Sequence, residues 1–363
     1  MVKSDFNAAV WVDSLGTNPT MERSRRPVFV MGCHRSGTNL LYDTLLSAGG
    51  FAVYRGYMPV YKMFLPVFGS FAKLENRTRM MDTWLRSKGY RRSGLDAADI
   101  RKRILEQCRT GGDFIRIVMD EVARKQEAQR WAVYDPDNVL YVPKVKADIP
   151  EALFIHIVRD GRDIALSLKK MEGFKPFPWH REAGSLEGTA LYWEWMVHKG
   201  RSFGQKIPTD YLEVQYEDLV LKPRETLATL SHFLGQDLNY ERIQQTALGR
   251  LSETNSSFRE EAARQEINPV QRWKERLSAE QVASIESLVG ATLEEFGYTL
   301  TTPVEKRRSG LRERWLHTAY PAFLDGKLWL KIETPLGRLI PTSVLELQDS
   351  APEGSPDDAE LKV

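Results

Sequence analysis

The stretch Pro27–Leu46, PVFVMGCHRSGTNLLYDTLL, constrains the fold more than any other part of the chain. Val28 to Gly32 run apolar or small without a break, as in a strand buried on both faces. His34-Arg35-Ser36-Gly37-Thr38 is a polar turn, and from Asn39 to Leu46 apolar residues return at helical spacing. A strand, a tight glycine loop and a helix in this order aim the loop amides and the helix N-terminus at one spot, where phosphate or sulfate oxygens fit. The expected fold class is α/β: a P-loop-like central parallel sheet flanked by helices, in a single main domain.

Gly32-x-x-x-x-Gly37 matches the first half of a nucleotide-triphosphate loop, but the second half is absent. That loop needs Lys and then Ser or Thr after its second glycine, to reach the outer phosphates and hold magnesium. Thr38 and Asn39 stand there instead. Magnesium-dependent phosphoryl transfer is therefore disfavoured, and a metal-free grip on a phosphate remains. Arg35 can supply the charge, since a planar guanidinium suits forked contacts to phosphate or sulfonate oxygens.

A second strand–loop–helix unit follows Pro150. Ala152 to Val158 reads as a central parallel strand, Arg159-Asp160-Gly161-Arg162-Asp163 as the loop at its carboxyl end, and Ile164 to Met171 as helix. Arg159 leaves the strand, and Ser167 lies one turn beyond Asp163, within reach of an anion that Arg159 holds. A ligand with phosphates at two places, one per loop, would join the two units.

Further strands are expected at Phe51–Tyr54, from Trp131 to the turn at Asp135-Pro136, and at Tyr211–Tyr216. Helices are expected around Met80–Ser87, Asp96–Arg109 and Asp113–Lys125, with Gly111-Gly112 as a break. More follow at Leu186–Lys199, at Pro223–Leu234, and after Arg272-Trp273-Lys274 up to Phe296-Gly297-Tyr298. Arg55 to Phe71, dense in Tyr, Met, Phe and Pro, reads equally as a lid over an apolar substrate or as core around a turn. The chain divides into an N-terminal arm (1–26), the main α/β domain (27–300), a basic and aromatic appendage (301–345) and an acidic tail (346–363) expected to be disordered. The appendage reads as an extra packing element, with a partner-binding or membrane-surface helix as the alternative.

The 51 basic and 49 acidic side chains nearly cancel, so nothing global points to nucleic acid as a partner. Two cysteines are too few for a disulfide framework, and no His/Cys spacing resembles a zinc site. No apolar run is long enough to cross a bilayer. The expectation is a cytoplasmic protein without a transmembrane segment; peripheral membrane contact and the oligomeric state are left open.

Residues 32–41, GCHRSGTNLL, resemble the 5′-phosphosulfate loop of the PAPS-dependent sulfotransferases, bacterial and Golgi-type branch, usually PRSGT or PKSGT before TLL. Residues 155–168, IHIVRDGRDIALSL, resemble that family's 3′-phosphate motif, an Arg after the strand and a Ser eight residues later. Residues 216–235, YEDLVLKPRETLATLSHFLG, and the RWK-to-FGY ending are similar too, so the likeness runs from about Pro27 to Tyr298. The resemblance implies metal-independent sulfuryl transfer from 3′-phosphoadenosine 5′-phosphosulfate (PAPS) to an acceptor hydroxyl or amine. It implies Arg35 at the leaving group, Ser36, Gly37, Thr38 and Asn39 on the 5′-phosphate, and Arg159 with Ser167 on the 3′-phosphate. A small-molecule or amphipathic acceptor is expected.

Two positions depart from the family. Its Gly-Glu step after the second strand, source of the catalytic base, is here Gly56-Tyr57, and its Lys before a Pro-bearing turn is replaced within Tyr134-Asp135-Pro136. Three residues remain as candidates for the base. Tyr57 is a poor one, because an ordinary phenol has a pKa of about 10. His34 has the right ordinary range but takes the place of a loop-shaping Pro, and Asp135 is the third. A PAP/PAPS-binding homologue without catalysis and a nucleotide or nucleoside kinase are the alternative functions.

Overall fold

β1 (Val28–Gly32) is the central strand of a five-stranded, wholly parallel sheet in the computed structural model, which describes residues 23–170, 185–246, 270–307 and 310–340. The arm up to residue 22 and the acidic tail lie outside the described residues. The other strands are β2 (Phe51–Ala52), β3 (Arg130–Tyr134), β4 (Leu153–Val158) and β5 (Tyr211–Gln215), in the spatial order β2-β3-β1-β4-β5. Val30 is in register with Tyr134 on one side and Ile155 on the other. Alternate residues of β1 face opposite layers: Phe29 and Met31 enter one apolar core, Val28 and Val30 the other. This two-sided burial is what the unbroken apolar run encodes.

Eight helices matter for the site. They are α1 (Thr38–Ser47), α2 (Leu74–Trp84), α3 (Ala97–Gln107), α4 (Gly111–Lys125), α5 (Gly161–Lys169), α6 (Leu186–Gly204), α7 (Ala279–Glu295) and α8 (Leu311–Glu333). Because β3 and β4 flank β1 on opposite sides, the strand order reverses at β1. The crevice of an open parallel sheet forms there, at the carboxyl ends of β1 and β4, from which α1 and α5 start.

Three expectations change. Gly111-Gly112 does not break a helix but begins α4, because Thr110 and Asp113 form a capping box that satisfies the first amides. The second strand is only two residues long; beyond it the Tyr54 carbonyl accepts from the Tyr42 hydroxyl instead of a strand partner. Between Arg55 and Phe71 the chain makes a π turn at Val60–Phe64, with Tyr61, Phe64, Phe68 and Phe71 buried, so the core reading holds over the lid.

α8 packs on α6. Its buried Tyr320 and Leu324 face inward, its Asp325 accepts from Trp195 Nε1 at 2.8 Å, and Lys199 pairs with Asp325 at 3.0 Å. The sheet itself is least tolerant at Gly32, where a Cβ would stand 2.4 Å from the Ile157 carbonyl oxygen of β4. Gly32→Ala is expected to lower the unfolding free energy by about 1–3 kcal/mol, because backbone has to move to relieve the overlap. Urea melts of the two proteins measure it; equal midpoints would contradict the close β1–β4 approach.

Candidate active site

The loop between β1 and α1 carries Arg35 at φ 73° and Gly37 at φ 97°. A Cβ on Gly37 would overlap the Tyr216 ring at 2.5 Å, so only glycine fits the turn. Arg35 holds a left-handed conformation that costs a non-glycine residue about 1–2 kcal/mol, which is typical of loops shaped for binding. No side chain caps α1, and its first turn holds no acidic residue. Ser36 is fully buried, and its Oγ has no hydrogen-bond partner. A buried hydroxyl left unsatisfied beside uncapped helix amides is suited to an incoming anion.

The second loop meets the first directly. Arg35 Nε donates to Ser167 Oγ at 3.0 Å, and Arg159 Nη1 donates to the Arg35 carbonyl at 3.4 Å. Arg159 is buried, with its guanidinium 4.3 Å from the centre of the Tyr216 ring and 3.5 Å from Asp163. Trp193 Nε1 donates to the Arg159 carbonyl at 3.0 Å and fixes the start of α5. Asp163 also accepts from the backbone of Gln271 and Trp273, at 3.0 and 2.9 Å, which ties the RWK segment to the same loop. Arg162 is spent elsewhere: it is buried between Asp160 and Glu286, at 2.7 and 2.6 Å. Burial, and then the charge of Arg159, lower the pKa of Arg35. Two guanidinium groups held this close favour an anion between them.

The remaining candidates gather in a second cluster beside this one. Asp135 ends β3 and accepts from the Asp137 amide at 3.0 Å, capping a short 3₁₀ turn at Pro136–Leu140. Asp137 receives His34 Nε2 at 3.2 Å on one oxygen and the Lys62 ammonium on the other. Lys62 comes from the π turn and also faces the Tyr57 ring. The two buried carboxylates diverge. Burial and then the Asp137 charge push Asp135 up to about 6. Burial also opposes ionisation of Asp137, but His34 and Lys62 outweigh it and hold that carboxyl well below the usual range. Burial, and then Asp135, push the Tyr57 phenol up, so it stays protonated at neutral pH. The Cys33 thiol is raised too, first by burial and then by Asp137, and is no nucleophile. Lys331 of α8 approaches from the far side: burial and then Lys62 hold its ammonium down at about 8.

Arg35, Arg159 and Ser167 thus meet at the ends of β1 and β4, with Ser36 and Gly37 in the same loop as Arg35 and Thr38 and Asn39 in the first turn of α1. His34 and Asp135 each contact Asp137, and Tyr57 faces Lys62 beside them. Asp137 and Lys62 escape a reading of the sequence. Asp137 had a signal, a second carboxylate two residues after Asp135 across a proline; Lys62 had none beyond being the one cation between Arg55 and Lys73.

A family model described as the sulfotransferase family matches residues 27–240, more than half of the chain. A Caenorhabditis elegans protein with the provisional name protein-tyrosine sulfotransferase is 23% identical over 154 residues, which is 42% of this chain and 55% of that protein. The chain therefore matches only about half the length of this curated relative. The sulfotransferase domain from the curacin biosynthetic pathway superposes with a TM-score of 0.51 at 16% identity, over 76% of this chain and 98% of that one. That likeness bears on the fold, a parallel α/β sheet flanked by helices.

Proposed function

We propose, from the premise that this chain belongs to the sulfotransferase family, that it moves a sulfuryl group from PAPS to an acceptor hydroxyl without a metal. The observation that carries the donor assignment is the Arg35–Ser167 hydrogen bond, with Arg159 on the Arg35 carbonyl. It brings the two strand-end loops and their cations into contact, which supports a ligand with a phosphate at each end of a ribose. The residues fit PAPS: the orphaned Ser36 hydroxyl and the α1 amides suit the 5′-phosphate, and Arg159 and Ser167 suit the 3′-phosphate. When bound, PAPS supplies the sulfuryl group; the acceptor oxygen bonds to sulfur, the sulfur–oxygen bond to the phosphate breaks, and 3′,5′-ADP leaves. Arg35 meets the negative charge that grows on the leaving phosphate. Asp135, ionised above about pH 6, takes the acceptor's proton. Lys62, steadied by Asp137, supplies the cation that the family's missing lysine would have brought.

Thermal-shift measurements test the donor. Stabilisation by 3′,5′-ADP without magnesium is expected, with a weaker response to 5′-ADP, which lacks the 3′-phosphate. Arg159→Ala should weaken 3′,5′-ADP by about 10–100-fold and leave 5′-ADP nearly unchanged, since a hydrogen bond to a charged group is worth about 1.5–3 kcal/mol. A response only to ATP with magnesium would overturn the assignment. Labelled PAPS offered to acceptor panels separates an active enzyme from a homologue that only binds the nucleotide.

A further inference from the structure

Of the nine large apolar side chains exposed among the described residues, seven lie between Val304 and Leu339. Most are on or just after α8. Leu311, Trp315 and Trp329 are 85%, 62% and 58% exposed, and Leu336 and Leu339 follow in the turn at Pro335–Leu339. On the helix they belong to one outward stripe, Leu311, Trp315, Thr318, Ala322, Gly326 and Trp329, all exposed and spaced three or four residues apart. The opposite stripe, Glu313, Tyr320 and Leu324, is buried against the domain. At 23 residues the helix is roughly 35 Å long, so the outward stripe is an extended convex ridge.

Charge is sorted across the same helix. Arg314, Lys327 and Arg338 are exposed. The acids are paired or buried: Asp325 holds Trp195 and Lys199, the exposed Glu333 pairs with Lys144, and Glu313 is buried. The outward surface therefore presents tryptophan and leucine between cations. No helix among the described residues is long and apolar enough to cross a membrane, so the chemistry is that of a surface-lying helix.

We infer that the outward face of α8 and the turn after it dock on an anionic lipid bilayer, with Trp315, Trp329 and the turn leucines entering the headgroup boundary and Arg314 and Arg338 meeting lipid phosphates. A bilayer supplies both complements at once, and its deformable surface accepts a convex ridge. A second copy of the chain would bring the same cations face to face.

Vesicle flotation with the full chain tests this inference independently of the donor assignment. Partition onto phosphatidylcholine vesicles containing phosphatidylglycerol should exceed that onto phosphatidylcholine alone by at least about tenfold and fall as salt rises. Trp315→Ser/Trp329→Ser should lower it by at least about tenfold, and Arg314→Glu/Arg338→Glu should remove the preference for anionic lipid. Both variants are expected to keep the melting temperature and the 3′,5′-ADP response, because the replaced side chains face outward. The inference is overturned by absence of partition onto anionic vesicles, by partition that the tryptophan variant retains, or by light scattering that shows a dimer which that variant dissociates.

Discussion

Arg35→Ala is expected to lower kcat/KM for sulfuryl transfer by about 10²–10³-fold, most of it in kcat. The nucleotide's ground-state charge is shared among Arg159, Ser167, the α1 amides and Arg35, so losing one contact leaves a pocket that still binds. The charge that appears as the sulfur–oxygen bond breaks has fewer partners. Arg35 links the two loops, bonded to Ser167 and carrying Arg159 on its carbonyl, which is where the proposed mechanism has that charge develop. Alanine keeps a Cβ at the left-handed φ of 73°, so the backbone cost is unchanged and the melting temperature should not fall. Removing a half-buried guanidinium that Arg159 repels should offset the lost bond to Ser167. Arg35→Lys should recover only part of the rate, since an ammonium keeps the charge but loses the planar fork. Near-normal kcat in Arg35→Ala would mean that another cation, Arg159 or Lys62, neutralises the leaving group. Steady-state kinetics at saturating PAPS decide between them.

The meeting of the two strand-end loops was legible in the sequence, and the Lys62 and Asp137 part of the neighbouring cluster was not, for a physical reason. β1 and β4 are buried on both faces, so they appear as unbroken apolar runs, and the polar loop after each has to lie at the crevice. Arg35, Arg159 and Ser167 sit at fixed offsets from those strands, and fixed offsets survive in one dimension. Lys62 reaches the site through a π turn, a local geometry that no residue pattern near Val60–Phe64 announces. Asp137 acquires its role from His34, more than a hundred positions earlier. The same holds for Lys331, whose helix reads as a separate appendage until it packs on α6 and comes near Lys62. The stub of a second strand had the composition of a full one, and what shortened it was a tertiary contact, the Tyr42 hydroxyl on the Tyr54 carbonyl.

Asp135→Asn is expected to lower kcat by about 10²–10⁴-fold while making the protein more stable at neutral pH. Asparagine keeps the oxygen that accepts from the Asp137 amide, so the 3₁₀ turn stays capped and the change is one of charge and basicity. In the native protein the Asp135 carboxyl titrates at about 6, raised by burial and then by Asp137. An unfolded aspartate titrates at about 3.9. The native state therefore holds this proton more tightly than the unfolded state does, and the stabilisation it brings is full below about pH 4 and lost as pH rises through about 6. An asparagine mimics the protonated form at every pH, so the variant should gain up to about 3 kcal/mol at pH 7.5 and no more than about 0.5 kcal/mol at pH 4. Activity runs the other way. The base works only when ionised, so kcat/KM of the unaltered protein should fall about tenfold per pH unit below about 6, and the variant's residual rate should lack that limb. His34→Gln provides the contrast. Its Nε2 contact with Asp137 places it as a positioning residue, so its rate should drop while the acid limb stays, moved but not erased. If the limb vanishes in His34→Gln and persists in Asp135→Asn, the imidazole is the base and Asp135 is structural. Paired pH–rate profiles and melts at the two pH values separate the cases, because only a buried, proton-accepting Asp135 couples lost activity to gained stability.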